Sequence, residues 1–332
     1  MKRVLLLTTG GTIAARPGDM GLAPQVSAGS LLEYLSELFR HYEIEARDLL
    51  SLDSSNIQAE EWQTIARAVY TELDHYDGIV VTHGTDTMAY TASMLSYMLQ
   101  NLKKPVVLTG SQIPIEHLLT DARNNLSTAF AAVDAEIPGV TIAFNHKIIN
   151  GCRAVKVRTM GFEAFESVNA PCIAEVYANG LHKTGVASAT WDPDQPTVLK
   201  DQLCSDVFLL KLIPGTNPAV LRMLMDMNYK GIVLETFGAG GMHFLRRDLL
   251  PELQELTSRG MSVVACSQCL YETSDLSLYE VGNRLLACGV IPGRDMTTEA
   301  AVTKLMWALG QTDDPEEVRQ IFATNYAGEI GQ

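Results

Sequence analysis

No apolar run in this sequence comes near the roughly 20 residues that a membrane-spanning helix needs, so no membrane partner is expected. The opening Met1-Lys2-Arg3 is followed by only four apolar residues, Val4 to Leu7, short of the roughly 7–15 of a secretion-signal core, and a cytoplasmic protein is expected. Cysteine is sparse as well. Six of them over 332 residues, at positions 152, 172, 204, 266, 269 and 288, form no disulfide framework, which suits a reducing compartment. Positive charge is in deficit, with 25 Lys and Arg against 39 Asp and Glu. A net charge of −14 opposes extended contact with nucleic acid, because such binding is driven by Lys and Arg displacing counterions from phosphate. A small-molecule partner is expected instead. No H-E-x-x-H motif occurs, and Cys266-Ser267-Gln268-Cys269 is a lone C-x-x-C, so neither metal nor other cofactor is expected.

What is present is an ordinary globular composition, 47% hydrophobic and 19% charged, long enough for two domains with a substantial core each. Val4–Leu7, Gly78–Val81 and Val106–Leu108 are short apolar runs of the kind that form strands buried on both faces of a parallel sheet. Helical spacing separates them: Trp62, Ile65, Ala66, Val69 and Leu73, then Met88, Ala92, Leu95 and Leu99. Ser30-Leu31-Leu32-Glu33 reads as a capping box. Further runs at Val140–Phe144, Val207–Leu212, Gly231–Leu234 and Met261–Ala265, and a last helical pattern at Val302, Leu305, Met306 and Leu309, continue the alternation. The predicted fold is α/β: a larger N-terminal domain (1–188) with a mostly parallel sheet and flanking helices, a linker (189–205) and a smaller C-terminal α/β domain (206–332). The linker is placed where periodicity lapses in a stretch with two prolines and three aspartates.

Three early strands each end in a small, hydroxyl-rich loop: "TTGGT" after Leu7, "THGTDT" after Val81 and "TGSQ" after Leu108. Ligands of open parallel sheets bind at the carboxyl ends of the strands, so these loops are expected to converge on one crevice. Gly10-Gly11 is neither a Walker A loop, since no lysine follows, nor the spaced triplet of a dinucleotide fingerprint. It reads as a tight turn or as a mount that holds out Thr12. A threonine nucleophile needs a proton acceptor. His83 has a packing or loop role as readily as a catalytic one. Lys156 in "RAVKVRT" is the alternative, if it is desolvated beside Asp86 rather than solvated on a strand face. Thr85 reads equally as an N-cap of the Met88 helix, and Asp86 as a first-turn acid or a partner for a ligand ammonium. "DSSN", Asp53 to Asn56, is a cap or Asx turn, or a donor cluster for a carboxylate.

"TTGGTIA", "DSSN", "VTHGTDTMAYTASML", "LTGSQIP", "RAVKVRTMGFEAFESVN" and "PGRDMTTEAAVTKLMW", in this order from about residue 4 onward, resemble L-asparaginases, most of all the cytoplasmic type I branch. The resemblance implies hydrolysis of L-asparagine to L-aspartate and ammonia without a cofactor, in a homo-oligomer, either a dimer or a dimer of dimers. It implies that Thr12 attacks the side-chain amide and forms an acyl-enzyme, and that Thr85, Asp86 and Lys156 form a second triad. Asp86 would also hold the substrate ammonium, Ser54 and Ser55 its α-carboxylate, and main-chain donors near Thr85 and Ser111 the oxyanion, a contribution of about 3 kcal/mol per donor.

Two departures stand out against that pattern. Leu22 occupies the loop position where the family commonly has a tyrosine supporting the first threonine, a role that Tyr271 could take over. Val155 and Glu235 stand where allosteric members carry a threonine and an arginine, so weak or absent activation by asparagine is expected, although Cys269 matches that site. Two other functions fit the same residues: the ammonia-releasing subunit of a tRNA-dependent amidotransferase, which carries an added N-terminal domain, and a catalytically silent asparagine or aspartate sensor.

Overall fold

The computed structural model describes residues 1–18, 21–185 and 191–331. They form two compact units, Met1–Asp201 with Tyr326–Gly328, and Gln202–Asn325 with the residues from Glu329 on. Of the expected linker, residues 189 and 190 lie outside the described residues. The stretch from Trp191 to Asp201 belongs to the first unit. Asn101 Nδ2 holds it by donating to the carbonyls of Asp192 (3.0 Å) and Gln195 (2.7 Å).

The first unit is built on an eight-stranded sheet. Its strands are β1 (Lys2–Gly10), β2 (Tyr42–Leu52), β3 (Gly78–Thr82), β4 (Pro105–Thr109), β5 (Gly139–Phe144), β6 (Lys147–Asn150), β9 (Ala174–Tyr177) and β10 (Gly180–Lys183). Between β6 and β9 the chain forms a separate two-stranded ribbon of β7 (Ala154–Lys156) and β8 (Phe165–Ser167). The sheet order is β10-β9-β6-β5-β4-β3-β1-β2. The five strands from β5 to β2 are parallel, and β6, β9 and β10 extend the sheet through antiparallel pairings.

Val4 to Leu7 are essentially buried on both sides, which is why they read as a continuous apolar run rather than an alternating one. Val4 and Leu6 share a core with Leu31 of α1 (Ala28–Glu33) and with Leu126 and Phe130 of α4 (Ala122–Asp134). Leu5 and Leu7 point to the opposite face. Each such side chain, fully removed from water, contributes about 1.5–3 kcal/mol. Helix α2 (Ala59–Glu72) packs on α3 (Met88–Met98), and ten of the eleven residues of α3 are buried.

Two sequence-based expectations are corrected here. The first helix is capped by Ser27, not by a box starting at Ser30: Ser27 accepts from Ser30 N (3.2 Å), and Asp48 Oδ1 accepts from Ala28 N (2.8 Å), so the helix is anchored a turn earlier. Thr85 is not an N-cap, because α3 begins only at Met88 with Thr87 in the cap position.

The second unit has four parallel strands in the order β11 (Val207–Lys211), β12 (Gly231–Thr236), β13 (Ser262–Ser267) and β14 (Ile291–Pro292). Ile232 and Leu234 share a core with residues of α5 (Ala219–Asp226), α6 (Leu250–Ser258) and α7 (Glu280–Ala287), while Val233 and Val264 face α8 (Thr298–Gln311) and α9 (Pro315–Ala323). A fully buried ion pair, Lys304 to Glu329 at 2.5 Å, lies in this unit.

Candidate active site

The neighbouring parallel strands β4, β3, β1 and β2 end side by side, and each delivers one of the loops singled out by composition. Strand registers Thr8↔Thr82 and Thr82↔Thr109 bring the three threonine-bearing ends level. The fourth loop, Asp53–Asn56, arrives from β2, whose end Leu52 lies beside Gly10 across an irregularity in the ladder. The loops are pressed together by glycine. A Cβ on Gly11, at φ 77°, would come within 2.4 Å of Gly84 N, and one on Gly84 within 2.6 Å of Ser54 Oγ. Main chain therefore meets main chain at Gly11, and the Ser54 side chain meets main chain at Gly84, at distances that no other residue allows.

Thr12 is the first residue of a 3₁₀ turn, Thr12–Ala14, and is half-buried. Gly11 before it touches Gly84, and Ile13 after it is buried in the core, so Thr12 is held on both sides. Thr8 and Thr9 serve the scaffold: Thr8 Oγ1 donates to Asp48 (2.7 Å) and Thr9 Oγ1 to the Thr82 carbonyl (2.8 Å).

Lys156 is where the expected constellation closes. At the end of β7 its ammonium donates to Thr85 Oγ1 (2.7 Å) and to Asp86 Oδ1 (2.6 Å). Its side chain is 17% exposed, so the solvated-face alternative does not hold, whereas the Asp86 carboxylate is 63% exposed and open to a ligand. Thr85 Oγ1 in turn donates to Gln112 Oε1 (3.3 Å). Gln112 is oriented for this by giving its amide hydrogens to the carbonyls of Thr159 (3.2 Å) and Gly161 (3.0 Å). The Asp121 carboxylate accepts from Gln112 N and Ile113 N, which fixes the third loop. Gln112 carries no signal in the sequence beyond its place in "TGSQ".

The other expected binding residues occupy distinct places. Ser54 is buried; its Oγ accepts from Asp86 N (3.2 Å) and its carbonyl from Thr87 Oγ1 (2.7 Å). Ser55 is exposed and donates both N–H and hydroxyl to Asp53 Oδ1. Those two bonds hold the Asp53 carboxyl below its usual range. Ser111 is buried and donates to the Ile113 carbonyl (2.6 Å). Leu22 pairs through its backbone with Pro17 in a small hairpin, and its side chain lies outside what is described, as do residues 19 and 20. Tyr271 and Cys269 are exposed residues of the second unit, and Val155 is buried on β7. Glu235 pairs with Lys211 (3.1 Å) and accepts from Thr298 Oγ1 (2.7 Å).

His83 is fully buried and takes the loop role. Its Nδ1 faces the Gly84 carbonyl (2.7 Å), which can only accept, so Nδ1 carries the proton. Nε2 is then an acceptor for Thr91 Oγ1 (2.9 Å), and Thr91 in turn accepts from Trp62 Nε1 (2.9 Å). Burial pushes the imidazole down to about 4, so it is neutral near pH 7 and supports the loop rather than shuttling protons.

Residues 3–186 match the family model for the asparaginase N-terminal domain, and residues 206–322 that for the glutaminase/asparaginase C-terminal domain. The chain is 46% identical over 335 residues to the L-asparaginase of Thermococcus kodakarensis, covering 99% of both chains. It is 35% identical over 340 residues to a glutamyl-tRNA(Gln) amidotransferase subunit of Pyrococcus abyssi, covering 99% of this chain and 77% of the relative. Among solved structures, the thermostable L-asparaginase from Thermococcus kodakarensis superimposes with a TM-score of 0.93 at 45% identity over 99% of both chains.

Proposed function

The chain belongs to the asparaginase family, and on that premise we propose that it hydrolyses L-asparagine to L-aspartate and ammonia with Thr12 as nucleophile. The observation that carries this reading is the hydrogen-bonded set Lys156, Thr85 and Asp86, assembled at the strand ends beside the loop that mounts Thr12.

Thr12 Oγ1 adds to the side-chain amide carbon of asparagine. Collapse of the tetrahedral species breaks the C–N bond, the nitrogen leaves as ammonia carrying the hydroxyl proton, and an aspartyl ester on Thr12 remains. Water then adds to the ester, its proton returns to Thr12 Oγ1, and aspartate is released. With Lys156 neutral, its extra proton given to solvent, Thr85 passes its hydroxyl hydrogen to Lys156 Nζ and takes one from the attacking water; Lys156 then returns a proton through Thr85 to the departing Thr12 oxygen, so both groups end as they began. Asp86, open to solvent on one side and paired to Lys156 on the other, receives the substrate ammonium. Ser54, whose Oγ accepts from Asp86 N, and Ser55 after it in sequence are assigned the α-carboxylate on this reading, and main-chain N–H groups near Thr85 and Ser111 the developing oxyanion. The enzyme works in the cytoplasm as a homo-oligomer on this reading.

Ammonia release from L-asparagine by the purified chain is the deciding assay. Turnover is expected, and binding of asparagine without turnover would establish a sensor instead. Relative kcat/KM on asparagine and glutamine completes it, since one methylene is worth only about 1–3 kcal/mol of discrimination.

A further inference from the structure

Lys156 sits on a strand that the main sheet does not position. Strand β7 is three residues long and pairs with β8 alone, Ala154↔Ser167, Val155↔Glu166 and Lys156↔Phe165, in a two-stranded ribbon outside the eight-stranded sheet. Isolated two-stranded ribbons are marginally stable in water, so the place of the Lys156 ammonium depends on what anchors this one: Gln112 holds its turn through the Thr159 and Gly161 carbonyls, the Phe165 ring packs on that of Phe144 of β5 (5.0 Å between centroids), and its base is fixed separately.

That base is the turn from Asn150 to Arg153, and it is clamped from three directions. Gly151 N donates to the Val140 carbonyl of β5 (3.0 Å). Ser93 Oγ of α3 donates to the Gly151 carbonyl (3.1 Å). A Cβ on Gly151 would stand 3.1 Å from the Ala92 carbonyl, so the turn lies directly on the helix that follows Thr85 and Asp86. The third clamp is the segment Tyr326–Gly328, which is part of this unit although it is distant in sequence. Asn150 Nδ2 donates to the Ala327 carbonyl (2.8 Å), and Arg153 Nε to the Gly328 carbonyl (2.7 Å). Arg153 is 1% exposed and among the largest fully buried side chains. Its carbonyl accepts from Val168 N (2.8 Å), just beyond β8, so Arg153 is tied to both strands of the ribbon.

We propose that Tyr326–Gly328 is a positioning element of the active site, with Arg153 as the positioning residue through which it fixes Lys156 against Thr85 and Asp86. This rests on the reading of Lys156 as a catalytic residue. The effect of Arg153 on the reacting groups is carried by three residues of strand.

Gly328 offers the handle. Its φ is +82°, a conformation that side chains rarely adopt, so Gly328→Ala turns the carbonyl that Arg153 uses without removing any neighbour. Steady-state kinetics on asparagine are measured for Gly328→Ala, Arg153→Lys and Lys156→Met, together with the pH dependence of kcat and the thermal midpoint. Misplacing a catalytic group by an ångström costs about a hundredfold, so kcat is expected to fall about ten- to a hundredfold in Gly328→Ala, with KM little changed and the pH dependence of kcat shifted. Arg153→Lys, which keeps the charge but not the planar donor, serves if Gly328→Ala does not fold. A folded variant with wild-type kcat and pH dependence overturns the inference. So does a loss of activity that only follows the thermal midpoint, with the pH dependence unmoved. The double variant with Lys156→Met is expected to be no slower than Lys156→Met alone, because the segment acts through that lysine. Near-normal turnover by Lys156→Met overturns the catalytic reading itself, whereas an inactive Lys156→Met beside a fully active Gly328→Ala removes only the positioning role.

Discussion

At the scale of single residues, the oxygens of Thr85 and Asp86 share one ammonium donor, and Thr85 passes its own hydrogen to Gln112. The Thr85 hydroxyl of this arrangement and the Thr12 hydroxyl carry the same expected cost. Thr12→Ala and Thr85→Ala are each expected to lower kcat about 10²–10⁴-fold at unchanged thermal midpoint, and near-normal turnover in either would remove that residue from the mechanism. Thr91 makes a different prediction, because its hydroxyl is tied up between two buried rings. Thr91→Val keeps the shape but strips the buried Trp62 and His83 nitrogens of their shared partner. The expected destabilisation is about 2–4 kcal/mol by urea unfolding, since an unsatisfied buried group costs about 1–3 kcal/mol. A change of only a few tenths would mean that the chain Trp62–Thr91–His83 does not hold the Gly84 loop.

Among the elements, the glycine contacts decide how closely the loops approach. Gly84→Ala would drive a methyl into Ser54 Oγ and push apart the loops that carry Thr85 and Ser54, so catalysis is expected to suffer more than folding. Activity equal to wild type at equal stability would show that the loops tolerate separation. Much of this was legible beforehand, because strands buried on both faces announce themselves as apolar runs and their small hydroxyl-rich ends follow directly. Strand β2 was not. It lies at the sheet edge with exposed and half-buried residues in turn, so Tyr42–Leu52 shows no apolar run, and strand order, which sets "DSSN" beside Gly10, is not encoded in local pattern. The roles of His83 and Gln112 were hidden for a related reason: each is fixed by partners from other elements, Trp62 and Thr91 for one, Thr159 and Gly161 for the other.

For the molecule as a whole, two buried titrating groups give the two units opposite responses to acid. His83 in the first unit has its folded value lowered from 6.5 to about 4, so the unfolded chain binds the extra proton, and stability is lost as pH falls from about 6.5 towards 4. Glu299, on the first turn of α8 in the second unit, is pushed up from 4.5 to about 7, first by burial and then by the Glu235 charge. Here the folded state binds the extra proton, so stability falls as pH rises from about 4.5 to 7. Glu299→Gln is expected to raise the stability of the second unit at pH 8 by about 1–2 kcal/mol and to flatten its profile below pH 7. Calorimetry at pH 5 and pH 8 checks this, and an unchanged transition at both would refute it. The segment that supplies the Ala327 and Gly328 carbonyls has a consequence in time as well as in space. At about 5–20 residues per second, the ribosome reaches Gly328 roughly 6–25 s after it has made Asp201, so the first unit can collapse early yet wait for the acceptors of Asn150 and Arg153. On the positioning proposed for Tyr326–Gly328, a chain stalled in its second unit would carry Thr12, Thr85, Asp86 and Lys156 in the first and still lack the clamp behind its lysine, so it is expected to turn asparagine over more slowly than the full chain.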